Sequence, residues 1–295
     1  MDGVTYYKWI KTDQEIEGIY ILTETRDFSN VNFENPYHVT EYYYEDGSIA
    51  YEDMEDYVIY YGGNTEPTVI IDIPYHDTTN MDTNGHTYVD LGLPSGAKWA
   101  SSLVGASNGT TAESWYGNYY AWGETITKKY YDWEDPNDAN QNYKYAKGSY
   151  DTLTKYCNMS DYGYNGYTDN LKILELSDDV AHSEFGGDWH MPDSKLLCEL
   201  MIYTDNEWVE NYNNIDGLNG RVFTSKVNGN TLFIPAAGYR NGSDINEVGS
   251  ICYLWSSSLR LDYPCDAYNL YFRSDDITMN YDYRCIGYSV YPVLY

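Results

Sequence analysis

The chain has 295 residues, enough for one large domain or two modest ones with a substantial buried core. Its 46 acidic residues against 17 basic ones give a formal net charge of -29, which argues against partners carrying phosphate backbones and against anionic membrane surfaces. No apolar run approaches the ~20 residues that span a bilayer, and the 37 tyrosines are foreign to a disordered chain.

Residues 1–80 read as a small β-rich domain. Short apolar and aromatic runs at residues 18–23, 57–61 and 68–73 are separated by turn signals at Asp46-Gly47, Gly62-Gly63-Asn64 and Pro74. The N-terminus lacks a basic segment followed by an apolar one, so no signal peptide is expected. Residues 76–85, rich in Asp, Thr and Asn, read as a linker.

The second domain is placed at residues 81–295, where Gly, Trp and Pro punctuate short strands. Its best helix begins after Asp193, a good N-cap. Leu196, Leu197, Leu200 and Met201 then share one helical face, with Lys195 and Glu199 outside it. A weaker helix is expected over residues 150–157. Strands are expected at residues 231–234, 268–272 and 288–291, and no repeat of 20–50 residues is present.

Few patterns suggest chemistry. His182, Glu184, Asp188 and His190 offer four potential ligands in nine residues. Gly186-Gly187 breaks helical spacing between them, and a turn framed by a buried Trp189 is the favoured reading. Carboxylate pairs such as Asp178-Asp179 and Asp275-Asp276 are too common in so acidic a chain to select a hydrolytic pair. Ser256-Ser257-Ser258 lacks the Gly-x-Ser-x-Gly context of a serine nucleophile, and no phosphate-cradling glycine loop occurs. The five cysteines, Cys157, Cys198, Cys252, Cys265 and Cys285, are odd in number and include no Cys-x-x-Cys, so free thiols are expected. Three sequons, at Asn108, Asn158 and Asn241, are no more than chance supplies. No metal or other cofactor is expected. What the chain has in abundance is recognition chemistry: tyrosine gives stiff, amphipathic contact area, as in antibody paratopes and interface hot spots.

The last 45 residues stand apart. Residues 251–295 contain no Lys, Glu or Gln, whereas the first 250 contain 11, 18 and 2. At that density about five would be expected. The segment keeps nine tyrosines, three cysteines, five aspartates and three arginines. Asn codons of the form AAC, mutated only at their adenines, generate Tyr, Asp, Cys, Arg, Leu, Ile and Ser but never Lys, Glu, Gln, Met or Trp. Trp255 and Met279 would then be fixed scaffold. The alternative is a chance composition.

Residues from about 86 onward resemble the Fibrobacter succinogenes major paralogous domain, a C-type-lectin-like module of gut Bacteroidetes. The motifs come in that family's order. They are Tyr88-Val89-Asp90-Leu91-Gly92-Leu93-Pro94-Ser95-Gly96-Ala97-Lys98-Trp99-Ala100, Tyr120-Ala121-Trp122-Gly123-Glu124-Thr125 and Gly186-Gly187-Asp188-Trp189-His190-Met191-Pro192. Phe233-Ile234-Pro235-Ala236-Ala237-Gly238-Tyr239-Arg240-Asn241-Gly242, Tyr253-Leu254-Trp255-Ser256-Ser257-Ser258 and Gly287-Tyr288-Ser289-Val290-Tyr291-Pro292-Val293 complete them. Two departures are Tyr291, where the family carries Arg, and Leu254, which interrupts Tyr-Trp-Ser-Ser. Such modules are similar to the variable proteins of diversity-generating retroelements, whose C-terminal segment is rewritten at adenines to vary a ligand-binding face.

The resemblance implies an α+β, C-type-lectin-like fold with few helices and short antiparallel strands, preceded by the small β-rich domain. It implies a ligand-binding protein rather than an enzyme, with Trp99, Trp122, Trp189 and Trp255 as core and a variable region at about residues 250–291. The expected binding side chains are Cys252, Leu254, Arg260, Leu261, Tyr263, Cys265, Asp266, Arg273, Asp275, Tyr281, Asp282, Tyr283, Cys285, Ile286, Tyr288 and Tyr291, the cysteines being exposed products of codon variation. The implied partner is a cell-surface protein or glycan receptor, with no nucleic acid and no membrane insertion. The implied location is extracellular, on a phage tail or bacterial surface to which residues 1–80 attach the head. The Glu-Pro-Asn and Trp-Asn-Asp motifs of calcium-dependent lectins are absent, so calcium, though possible, is not indicated. Two other readings stay open: a non-diversified carbohydrate-binding or adhesin module, and a glycosidase using an Asp/Glu pair.

Overall fold

The computed structural model describes residues 7–10, 19–24, 42–44, 79–82 and 84–295. The chain divides into two compact units, Met1–Asp72 and Ile73–Tyr295. In the first, β1 (Tyr7–Ile10), β2 (Ile19–Glu24) and β3 (Tyr42–Tyr44) form an antiparallel sheet in that order. β2 falls on the apolar run at residues 18–23. The strands expected at residues 57–61 and 68–73 lie outside the described residues.

The second unit opens with β4 (Thr79–Met81), paired antiparallel to β5 (Thr87–Asp90). The linker reading is therefore corrected over residues 79–82 and 84–85, while residues 76–78 lie outside the described residues. Its polar composition is that of a tight turn: the Asp82 carboxylate accepts from the backbone N–H of Asn84 at 3.0 Å and of His86 at 2.6 Å. Then come β6 (Lys98–Ala100), the helical turn α1 (Glu113–Tyr116), α2 (Val180–Phe185), β7 (Trp189–His190) and α3 (Ser194–Tyr203). Strands dominate the rest: β8 (Thr204–Val209), β9 (Gly220–Ser225), β10 (Thr231–Pro235), β11 (Tyr239–Asn241) and β12 (Asp244–Asn246). β13 (Ile251–Leu259), β14 (Asp266–Arg273), β15 (Ile277–Tyr283) and β16 (Val293–Leu294) complete the unit.

The result is a mixed unit of few helices and several small antiparallel sheets. β4-β5-β6-β16-β7 form one sheet, in which Val293 pairs with both Trp99 and His190. β10-β9-β8 and β13-β14-β15 form two more, and β11-β12 a hairpin. Among the described residues no helix is long and apolar enough to cross a membrane.

α3 is the helix its sequence predicts. Asp193 caps it, accepting from Leu196 N–H at 2.9 Å. Leu196, Leu197 and Leu200 are buried and Met201 half-buried, while Glu199 reaches out to the Ser95 backbone N–H at 2.7 Å. The helix expected over residues 150–157 does not form. The Thr152 hydroxyl instead accepts from the N–H groups of Lys147 and Ser149, and Asp169 accepts those of Tyr156 and Cys157. Side chains that capture backbone donors in this way compete with the helical ladder. Residues 288–291 form single bridges, Tyr288 to Tyr120 and Ser289 to Leu254, rather than a strand.

Trp99, Trp122, Trp189 and Trp255 are fully buried, as expected. Two are cross-linked through each other's surroundings. Trp122 Nε1 donates to the Ser256 carbonyl of β13 and Trp255 Nε1 donates to the Tyr120 carbonyl, both at 2.8 Å. Trp99 Nε1 has no partner among the described residues. Trp122→Phe and Trp255→Phe each shrink a packed side chain and remove a buried hydrogen bond, and should each cost about 2–4 kcal/mol. Trp99→Phe loses volume alone and should cost less. Urea unfolding of the three variants checks the ranking, and an equal or larger loss for Trp99→Phe would contradict it.

Candidate functional site

The C-terminal sheet β13-β14-β15 carries most of the segment singled out by its composition. Its register sets Cys252 opposite Phe272, Tyr253 opposite Tyr271, Tyr268 opposite Tyr281 and Asp266 opposite Tyr283. Alternation sends Cys252, Leu254, Leu270 and Phe272 inward on one face, with Phe272 meeting Phe223 of β9 edge-on. On the other face Trp255 and Ala267 are buried too, because Tyr288 covers Trp255 with ring centroids 4.4 Å apart. A sheet covered on both sides has little room for long charged side chains.

That coverage corrects half of the expected binding residues. Cys252, Leu254, Cys265, Asp266, Cys285, Ile286, Tyr288 and Tyr291 are all buried. Cys252 and Leu254 are core-facing strand residues; Cys265, Cys285, Ile286 and Tyr288 belong to the aromatic core. Tyr291 packs on Trp99 and donates its hydroxyl to the Phe233 carbonyl at 3.3 Å. All five cysteines are buried and outside any disulfide, contrary to the exposure expected of Cys252, Cys265 and Cys285. Burial pushes the Cys265 thiol up to about 12 and those of Cys252 and Cys285 well above the ordinary range, so they behave as small apolar groups.

The remaining expected residues fall into two groups. Arg273 and Asp275 lie at the β14–β15 turn and pair at 2.8 Å on an exposed surface. Arg260, Leu261, Tyr263, Tyr281, Asp282 and Tyr283 collect at the opposite end of the sheet. There the Arg260 guanidinium lies 3.4 Å above the Tyr281 ring centroid and 4.6 Å from that of Tyr263. Both Asp262 oxygens take its fork at 2.8 Å, and Asp266 accepts a third bond at 3.3 Å. Asp282 is turned away and accepts from the Tyr288 hydroxyl at 2.6 Å.

Two tyrosines that sequence reasoning passed over complete this end. Tyr150 stacks on Tyr283 at 6.4 Å, and Tyr162 meets Tyr263 edge-on at 6.2 Å. Tyr150 opens the stretch expected as a helix and Tyr162 follows it in the same loop region, and nothing in their local pattern marks them. Of the seven clearly exposed tyrosines among the described residues, Tyr150, Tyr263, Tyr281 and Tyr283 are here. The arrangement is a stiff aromatic surface around a cation held in place by two carboxylates. It can make broad contacts and orient a polar ligand.

Elsewhere, Ser256, Ser257 and Ser258 are buried in β13. His190 stacks on Tyr295, Glu184 and Asp188 are exposed, and no three His, Cys, Asp or Glu side chains converge as metal ligands among the described residues. Compared with protein-family models, with curated proteins and with solved structures, the chain matches none.

The missing Lys, Glu and Gln now have a physical account. Only Tyr263, Arg273, Ser274, Asp275, Asp276, Tyr281, Tyr283 and Tyr295 are exposed in residues 251–295. A segment with eight exposed positions offers few places where those residue types are ordinarily found.

Burial, opposed by the Arg260 guanidinium and reinforced by nearby Asp282, raises the Asp266 carboxyl to about 6. The folded state therefore holds this proton more tightly than the unfolded chain does. The stability contributed by Asp266 falls as pH rises between about 4 and about 6, and is level above. A carboxyl-detected NMR titration should find its midpoint near 6, moving higher in Arg260→Gln as the opposing positive charge is lost. A midpoint near 4, or a downward move in the variant, contradicts this reading.

Proposed function

We propose that the second unit is a ligand-binding module of C-type-lectin-like architecture, and that it binds without turning its ligand over. Its recognition surface is the end of the C-terminal sheet formed by Arg260, Tyr263, Tyr281 and Tyr283, with Tyr150 and Tyr162 alongside. The observation that carries this reading is the convergence there of four exposed tyrosines and an arginine held between two of their rings. These are the residue types that dominate binding energy at interfaces. The ordered motifs from Tyr88 to Val293, and the small antiparallel sheets they fall in, support the lectin-like scaffold.

The ligand in this reading is a protein or glycan receptor on a cell surface, and the module works outside the cell, on a phage tail or a bacterial surface. The first unit attaches it to that assembly. Retroelement diversification would then act only on the exposed and half-buried expected positions, at Arg260, Leu261, Tyr263, Arg273, Asp275, Tyr281, Asp282 and Tyr283. Tyr263→Ala, Tyr281→Ala and Arg260→Ala should each weaken adhesion to receptor-bearing gut bacterial cells by about tenfold or more, with little change in Tm. Unchanged adhesion in all three would move the surface elsewhere. Turnover in a glycan-hydrolysis screen, abolished by one carboxylate substitution, would overturn the non-enzymatic reading.

Burial of the C-terminal sheet favours a second reading, a non-diversified carbohydrate-binding or adhesin module, because it accounts for the missing Lys, Glu and Gln without mutagenesis. The gene separates the two. Diversification requires a near-copy of the bases encoding residues 251–295, differing chiefly at adenines, beside a reverse transcriptase. Their absence from the surrounding genome would leave the non-diversified module.

A further inference from the structure

One arginine in the second unit is built in differently from the rest. Arg221, Arg260, Arg273 and Arg284 each give their guanidinium to carboxylates, side-chain oxygens or backbone carbonyls. Arg240, among the described residues, gives its guanidinium to none. It rests instead against two rings, its central carbon 5.8 Å from the Tyr119 centroid and 5.9 Å from that of Tyr131. In a chain with 46 acidic residues, an arginine left without any hydrogen-bond acceptor among the described residues calls for an explanation.

The surrounding backbone fixes where Arg240 points. Gly238 has φ +68°, and a Cβ there would lie 2.1 Å from the Asn246 carbonyl oxygen, so only glycine lets β11 close on β12. The Arg240 N–H and C=O both bond to Gly287, at 2.8 and 2.9 Å. Strand alternation then puts Tyr239 against Tyr253 and Tyr288 on one side. Arg240, on the other, lines an open cleft of about 520 Å³. The two supporting rings are pinned: Tyr119 donates to the Ala237 carbonyl and Tyr131 to the Tyr119 carbonyl. The cation is held ready rather than left to wander.

The rest of the lining narrows what it would receive. Lys128 also lines the cleft but is committed to Glu124 at 3.1 Å. Glu113 and Asp216 stand on the walls, and Ile245 and Val248 put exposed apolar groups there. One uncommitted cation beside two acids suits a single negative charge. The net charge of -29 disfavours a dianion such as phosphate further, because it meets twice the repulsion. The fork of the guanidinium matches the two oxygens of a carboxylate, and the volume suits a body of one or two rings or a short side chain.

We infer that the cleft beneath the β11–β12 hairpin is a second binding site, for a small organic carboxylate gripped by Arg240. An acidic sugar and the carboxylate of an amino acid or peptide end share this chemistry. Calorimetric titration of the full chain with methyl glucuronide, a methyl glycoside of N-acetylneuraminic acid, N-acetylleucine, methyl glucoside and inorganic phosphate tells them apart. At least one carboxylate should bind, more tightly than phosphate, and the neutral methyl glucoside should not; whichever carboxylate binds names the source.

Arg240→Met should weaken that binding about tenfold or more, with Arg240→Lys intermediate. Ile245→Glu changes an exposed wall position, brings a competing negative charge, and should also weaken it severalfold; Asp216→Asn should strengthen it. Tyr263→Ala, at the other surface, should leave it unchanged. The inference is overturned if no carboxylate binds at millimolar concentration, if phosphate binds more tightly, or if folded Arg240→Met retains wild-type affinity. Should Arg240→Met fail to fold, an unweakened Ile245→Glu overturns it instead.

Discussion

The second unit hangs on the mutual grip between Trp122 and Trp255. Each indole donates to a backbone carbonyl beside the other, Ser256 for Trp122 and Tyr120 for Trp255. The backbone repeats the exchange, with Tyr120 and Tyr288 bonded to each other in both directions, Trp122 N–H bonded to the Arg284 carbonyl and Trp255 N–H to that of Ser289. The segment around Tyr120 is thereby fixed between β13 and the stretch that follows β15. From this clamp Tyr119 extends to support Arg240, while Tyr143 donates to the Trp122 carbonyl at 2.8 Å. Buried indole N–H groups with partners both fill volume and choose one register for the strands around them.

The abundance of tyrosine takes on a second meaning beside recognition. The chain has only 17 basic residues, and many of those described in the second unit lie against tyrosine rings: Lys98 on Tyr88, Lys128 on Tyr131 and Tyr143, Lys144 and Lys155 on Tyr145, and Arg260 on Tyr281. Arg284 is the extreme case. Fully buried, it bonds to the carbonyls of Tyr156 and Lys155 and sits over the rings of Trp122 and Tyr143. π faces and carbonyls surround this cation in place of a buried carboxylate, whose own desolvation would be costly.

Legibility in the sequence followed locality. α3 could be read because its cap and its apolar face lie within ten residues of each other, and the four tryptophans because large apolar groups belong inside. The linker and the helix over residues 150–157 were misread because Asp82, Thr152 and Asp169 act through side-chain-to-backbone bonds that composition does not reveal. The proposed binding surface was half legible. Period-two alternation identifies the faces of β13 and β14, but whether a face meets water depends on Tyr288 and on the distant loop carrying Tyr120 and Trp122. The same separation hid Tyr150, Tyr162 and the cleft of Arg240, whose walls come from three distant parts of the chain.

β16 lies between β6 and β7, so the second unit is entered through β4 and β5 and left through a strand of the same sheet. The way in and the way out are three strand spacings apart, roughly 14 Å. A domain of that shape is portable. It can be spliced into a surface loop of a host protein without forcing the host's own chain apart. The tyrosine surface and the Arg240 cleft would travel with it as cargo, since every side chain described in them belongs to the second unit.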